Sequence, residues 1–271
     1  MPVPNLFSRF APLVVVGAVL ATAGEIPVRP GPSQGKIEAG GKFVPAFVDP
    51  KQSSAPPLPK DIEAFAKSLV QMSPDGSVSI GRVRMDPKAR RISIPAQVNT
   101  NAGLVEYVLV TRQGKVHEAL LATDASPTHL HLAFLLLDLA PQGGTNRTTH
   151  VRAEVEWKGN GPTRRMPVSE WLMLTQDSPE GGRGSVLQVP SWDVGRAEIR
   201  DGRLSAEIEG SILSLIGDPS ALINLPHRGP INDRLYACRT GKIPVVGMPV
   251  TLHLTPVPAA AADNASFPGG R

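Results

Sequence analysis

Residues Leu104 to Leu137 read LVEYVLVTRQGKVHEALLATDASPTHLHLAFLLL, and how these residues pair decides the fold. Val105, Tyr107 and Leu109 recur at every second position, which predicts a strand over Leu104–Arg112. Lys115–Ala122 reads as a second strand, with Gln113-Gly114 as the two-residue turn of a hairpin. In that hairpin Arg112 faces Lys115, Glu106 faces Leu121 and Glu118 faces Leu109. Ser126 is then a helix N-cap, and Pro127 takes the first helical position, where its missing N–H costs nothing. Leu130, Ala133, Phe134 and Leu137 follow at helical spacing, with Leu132, Leu135 and Leu136 on the other face. The pattern predicts one buried helix over about 126–139, packed on both sides and ended by Pro141.

Working outward, further strands are predicted at Ser77–Arg84, Arg91–Asn99, Val151–Lys158, Val186–Pro190, Arg196–Asp201, Arg203–Glu209 and Val250–Thr255. Asp201-Gly202 reads as a second tight turn. Short helices are predicted over Asp61–Met72, Val168–Leu174 and Pro219–Asn224, the last capped by Asp218. The fold class is α+β and β-rich: mainly antiparallel sheet, one buried helix and a few short helices. The domain is expected over 61–256, and QDSPEGGRGSV at 176–186 marks where two subdomains would meet.

The ends read differently. Arg9, the apolar run Ala11–Leu20 and the small-x-small triplet Ala21-Thr22-Ala23 form a signal peptide over residues 1–23. That run is too short to span a bilayer, and no transmembrane span is expected after cleavage. Residues 24–60 hold eight prolines and eight glycines or serines and read as a linker, with Phe43–Val48 as a candidate edge strand. Residues 257–271 have the composition of a disordered tail. Cleavage removes Arg9 and lowers the net charge from +4 to +3, too small an excess for a basic field. Cys238 is the one cysteine, which excludes an internal disulfide and a Cys-ligated iron–sulfur cluster; it reads as a buried free thiol. The expected location is outside the cytoplasm, periplasmic or extracellular.

GxGxxG, Walker, HExxH and GxSxG motifs are absent. His117-Glu118 begins like a zincin motif, but the position four beyond His117 is Leu121, and on a strand the two side chains would point to opposite faces. His129 and His131 lie about 200° apart around a helix, so a regular helix cannot offer both to one ion. His117 with either of them is the candidate metal pair, weighed against histidines hydrogen-bonded at the core rim. Glu106 and Glu118, three rungs apart in the predicted hairpin, stand about 10 Å apart, too far to share a proton. Arg82, Arg84, Lys88, Arg90 and Arg91 cluster without interleaved aromatics, which reads as a solvated strand edge and not as a nucleic-acid surface. Asn224–Arg234 is a polar, turn-rich loop, and Asn146 and Asn264 head glycosylation sequons.

Asn99, Leu104-Val105-Glu106-Tyr107, Gly114-Lys115, His117-Glu118, Leu120-Leu121, Thr123, Pro127, Leu130-His131 and Ala133 together resemble the YdjY domain, a bacterial family without an established activity. The likeness is close from Asn99 to Leu137 and looser through GSILSLIGDPSALINLP and GMPVTLHLTP to Pro256. Some members are joined to ferredoxin-like cysteine clusters, a pattern from which this single-cysteine chain departs. The resemblance implies a fold and no function. The candidate ligand-binding residues are Asn99, Glu106, Lys115, His117, Glu118 and His131; the candidate metal ligands are His117, His129 and His131; no catalytic set is expected. The expected function is an exported, non-catalytic binding or accessory module for a small ligand or an envelope protein. The alternatives are a metal-dependent enzyme using His117 and a helix histidine, and an envelope assembly protein pairing through a strand edge.

Overall fold

The computed structural model describes residues 35–37, 43–45, 69–140, 149–175, 184–226 and 234–257. The chain divides into two units, Met1–Ser68 and Leu69–Arg271. In the first, β1 (Gly35–Ile37) pairs antiparallel with β2 (Phe43–Pro45), so the Pro/Gly-rich segment carries a short ladder. Residues 1–23, the sequons at Asn146 and Asn264, and His227 to Asp233 of the polar loop lie outside the described residues.

The second unit begins with β3 (Val70–Met72), β4 (Val78–Ile80), β5 (Val83–Asp86), β6 (Arg91–Val98), β7 (Tyr107–Thr111), β8 (Ala119–Thr123) and α1 (Pro127–Leu136). It continues through β9 (Thr149–Trp157), β10 (Arg164–Pro167), β11 (Leu172–Leu174), β12 (Trp192–Val194), β13 (Ile199–Arg200), β14 (Arg203–Leu204) and α2 (Ser205–Glu209). It ends with β15 (Ser211–Ser214), β16 (Ile223–Asn224), β17 (Tyr236–Cys238) and β18 (Pro249–Pro256). Eight strands close a ring in the order β9, β12, β16, β15, β7, β8, β6, β18 and back to β9. The β-rich expectation holds, and its form is a closed barrel. Strands on both sides of 176–186 belong to this ring. Ile92, Ile94, Ala96 and Val98 of β6 face its interior, as do Val250, Leu252 and Leu254 of β18, alternating with outward residues. Cys238 is a buried free thiol, as read from the sequence, and burial pushes its pKa up to about 11.

Two ring strands are forks. β6 meets β18 along one edge, while its other edge is shared between β5 at Arg91–Ser93 and β8 at Gln97–Val98. Pro95 stands between them. Its carbonyl accepts the Thr123 hydroxyl at 2.6 Å, and its missing N–H falls on the same divided edge, where no ladder partner is needed. From this fork β5, β4 and β3 extend as an antiparallel leaf. β9 is divided likewise between β12 and β10.

The expected hairpin is absent. β7 and β8 run parallel, with Tyr107 opposite Ala119 and Leu109 opposite Leu121. Lys115–Glu118 is not strand: Val116–Glu118 forms a 3-10 turn. The chain leaves β7 at Thr111 and returns the length of the strand, about 13 Å at ~3.3 Å per residue, within residues 112–118. Parallel neighbours normally need a dozen or more residues between them. β15 and β16 repeat this parallel arrangement through residues 215–222. Because β7 and β15 are antiparallel neighbours, the two short crossovers face each other. Gly114 of the first crossover meets Gly210, which ends α2 just before β15, backbone to backbone: a Cβ on Gly210 would lie 2.6 Å from Gly114 Cα, and Gly210 has φ 71°. This tertiary contact overrides the local hairpin signal of Gln113-Gly114.

Other expectations also change. Val70–Met72 is strand, not the end of a helix, and residues 61–68 lie outside the description. Ser77–Arg84 is broken into β4 and β5 at Gly81-Arg82, where Gly81 takes φ 55°. Ser205–Glu209 is helix and not strand; left-handed Gly210 ends it. Pro219–Asn224 forms no helix: the Asp218 carboxylate accepts the Ser220 N–H in a turn that leads into β16. Val168–Trp171 is a 3-10 turn followed by strand, and Val186 makes an isolated bridge to Met173. Asp201-Gly202 does turn β13 into β14.

Helix α1 is capped as expected, with Ser126 Oγ accepting the Thr128 and His129 N–H groups. It ends at Leu136, short of Pro141, and Asp138 follows at φ 55°. Leu130, Ala133 and Phe134 are buried in the core, Leu132 and Leu136 pack half-buried against it, and of the other face only Leu135 is exposed.

Candidate functional site

Several residues read as ligand-binding instead tie the two crossovers together. Lys115 Nζ donates to the Tyr107 hydroxyl at 2.7 Å, and that hydroxyl donates to Asp218 Oδ2 at 3.0 Å. One side chain from each crossover thus meets on a tyrosine of the central strand. Burial, opposed by the Lys115 ammonium and reinforced by the Asp218 carboxylate, pushes the Tyr107 pKa up to about 12. Against its own burial, Lys115 is held above its usual value by Tyr107, Asp218 and Glu118. Asn99 Nδ2 donates to the carbonyls of Val116 and Ala119, at 2.5 and 2.7 Å, and so fixes the 3-10 turn. Val116 and Ile216 pack on buried Tyr107, Val110 and Ala119, closing this region with apolar surface.

Glu106 and Glu118 are not three rungs apart: the Glu106 N–H donates to the Glu118 carbonyl at 2.8 Å. His117 is exposed, with Nε2 3.6 Å from Glu118 Oε2, so the two side chains do not diverge as they would on a strand. His129 lies over the Gly81 turn, where any Cβ would overlap its imidazole. Burial lowers the pKa of His129, against the opposing charge of Glu207, and also that of His131. Glu207 of α2 accepts the Ser126 and Thr128 hydroxyls and the Thr128 N–H, placing a carboxylate at the positive start of α1. Among the described residues, no three His, Cys, Asp or Glu side chains gather as a metal site requires.

A different site lies on the outer face where the leaf leaves the barrel. The register sets Arg84 opposite Ser93, Ser93 opposite His253, Pro95 opposite Thr251, and Asp86 opposite Arg91. These outward residues line a groove of about 470 Å³. Ser93, Pro95, Thr251 and His253 form its floor; Arg82, Arg84 and Arg91 stand around it with Asp75, Asp86 and Ser77.

The acids here are engaged. Asp75 accepts the Ser77 hydroxyl at 2.7 Å, the Ser77 N–H at 2.9 Å and Arg84 Nη2 at 2.6 Å. The Ser77 bonds foremost hold its carboxyl below the usual range. Asp86 Oδ1 accepts the N–H groups of Lys88 and Ala89, both at 3.0 Å. The bases are less satisfied. Arg91 Nε is buried with no hydrogen-bond partner, and its nearest carboxylate, Asp86, is 3.9 Å from Nη2. Arg82 is exposed and has no ion-pair partner among the described residues. His253 is buried; Nδ1 meets Ser93 Oγ at 2.9 Å, while Nε2 has no hydrogen bond and lies 3.5 Å from Glu156 Oε2. Burial, then the Arg165 and Arg91 charges, lower the His253 pKa against Glu156, which favours neutral imidazole. A buried polar group left without a partner costs about 1–3 kcal/mol.

Sequence reasoning took Arg82, Arg84 and Arg91 for a solvated edge and did not single out His253. The alternation Arg91-x-Ser93-x-Pro95 and Thr251-x-His253 gave each outward face, but only the register across β5, β6 and β18 joins them. It also missed His150, whose Nδ1 lies 2.8 Å from Asp193 Oδ1 across β9 and β12. Burial raises the Asp193 pKa against that histidine.

No family model matches the chain, and no curated protein or solved structure matches it either.

Proposed function

We propose that this protein is an exported, non-catalytic binding or accessory module that holds a small ligand in the groove between the leaf and the barrel. One observation carries the reading: an open polar groove is lined by Arg82 and Arg91, and the buried Arg91 Nε has no hydrogen-bond partner among the described residues. Buried polar atoms are nearly always satisfied, so each exception asks what completes it. The closed ring provides a rigid base for such a site. Support for a non-catalytic role comes from Asn99, Tyr107 and Lys115, whose polar atoms are committed to holding the crossovers. Export to the periplasm or the cell exterior rests on the signal-peptide pattern of residues 1–23. Membership of the YdjY family rests on the motif between Asn99 and Leu137 and is part of the same proposal.

The test is a small-molecule screen by thermal shift on the full chain, repeated with Thr251→Trp, which fills the groove floor. Hits that raise the melting temperature of the wild type and fail with Thr251→Trp support the reading. Hits that survive in Thr251→Trp move binding elsewhere and defeat it.

A further inference from the structure

We infer that the groove takes an oxyanion group of its ligand, a carboxylate or a phosphate, between Arg82 and Arg91 above the Thr251 hydroxyl. This rests on the binding-module reading and names the chemistry of its ligand. The groove sets three guanidinium groups, Arg82, Arg84 and Arg91, against two carboxylates, Asp75 and Asp86. Both acids already accept turn N–H groups, and Arg84 is bound by Asp75 and Ser77. The donors left over are on Arg82 and Arg91. A guanidinium offers planar, paired N–H groups that match the two oxygens of a carboxylate or phosphate. Arg91 lines the groove with its side chain 36% exposed, and its 3.9 Å contact to Asp86 is too long for a hydrogen bond, so its guanidinium keeps donors for an anion. No Phe, Tyr or Trp lines the groove, so its recognition groups are charged and polar ones. The volume, about 470 Å³, suits a small metabolite.

The signal was divided in the sequence. Arg82 lies on the Gly81 turn, Arg91 starts β6, and Thr251 lies on the last strand of the ring. β6 lies between the leaf and β18, and the register turns three separate stretches of chain into one site.

The experiment is isothermal titration calorimetry on the full chain with inorganic phosphate and with succinate, at constant ionic strength. Saturable binding of at least one is expected, weakened tenfold or more in Arg91→Gln and in Arg82→Gln. The tighter of the two names the source of the oxyanion. Arg82 is exposed on a turn, so Arg82→Gln keeps the test decisive even if Arg91→Gln fails to fold. The inference is overturned if neither anion binds saturably, or if Arg82→Gln binds as the wild type does. Should that happen while Thr251→Trp still abolishes hits from neutral compounds, the binding module stands and only its anion is lost. If Thr251→Trp abolishes none, both readings go.

Discussion

The two sides of the barrel use their polar residues in opposite ways. At the crossovers, Lys115, Tyr107, Asp218 and Asn99 bond to one another or to backbone, beneath apolar Val116 and Ile216. At the leaf, the acids are bonded, but among the described residues Arg82 and Arg91 Nε have no such partner. A dense cluster of titratable residues in sequence therefore marked the closed side, and a scattered set marked the open one. Polarity in a core-like stretch is often what holds unusual topology in place; an unpaired donor beside a cavity is the better pointer to a ligand.

The sharpest way to break this contrast is Gly210→Ala. A side chain there meets Thr111 and the Gly114 backbone at a positive φ, so a loss of about 3 kcal/mol or more is expected, read by urea denaturation. A loss under about 1 kcal/mol would mean that the first crossover is not held backbone to backbone against Gly210. Next comes Tyr107→Phe, which removes the hydroxyl linking Lys115 to Asp218 and should cost about 1–3 kcal/mol in the same assay.

That variant also separates the regions by pH. An unfolded tyrosine ionises near pH 10 and folded Tyr107 near 12, so the folded state keeps this proton longer. Its contribution is full below pH 10 and is lost as pH rises through about 12; Tyr107→Phe should flatten that alkaline slope. Acid acts on the other side. An unfolded histidine takes up a proton near pH 6.5, whereas buried His253 and half-buried His131 do so only at lower pH. The unfolded chain then binds more protons as pH falls. Stability is full above pH 6.5 and drains away through the lowered folded values, a smaller slope that His131→Gln should reduce in pH-dependent melting. Arg82→Gln, on the open side, should shift unliganded stability by no more than about 0.5 kcal/mol. A large loss there would make the groove a structural device like the crossovers.

Much of the β content was legible because it follows local rules. β6, β9 and β18 alternate cleanly, Ser126-Pro127 starts α1, and Cys238 is buried. The pairing of β7 with β8 was not legible, since Gln113-Gly114 satisfies hairpin chemistry and the decisive neighbour, Gly210, is far along the chain. Ser205–Glu209 alternates weakly enough to pass for strand, yet it becomes helical and its Glu207 caps α1. The groove was hidden for a related reason. Each of its residues occupies an ordinary outward position, and only the pairing of Ser93 with both Arg84 and His253 assembles them.

The place of β18 has a temporal consequence. This strand, ending at Pro256, lies between β6 and β9 and completes the ring with ladders on both sides. The barrel cannot close while the ribosome is still short of that residue, and closure then joins segments separated by most of the unit. Such long-range pairing makes for slow folding.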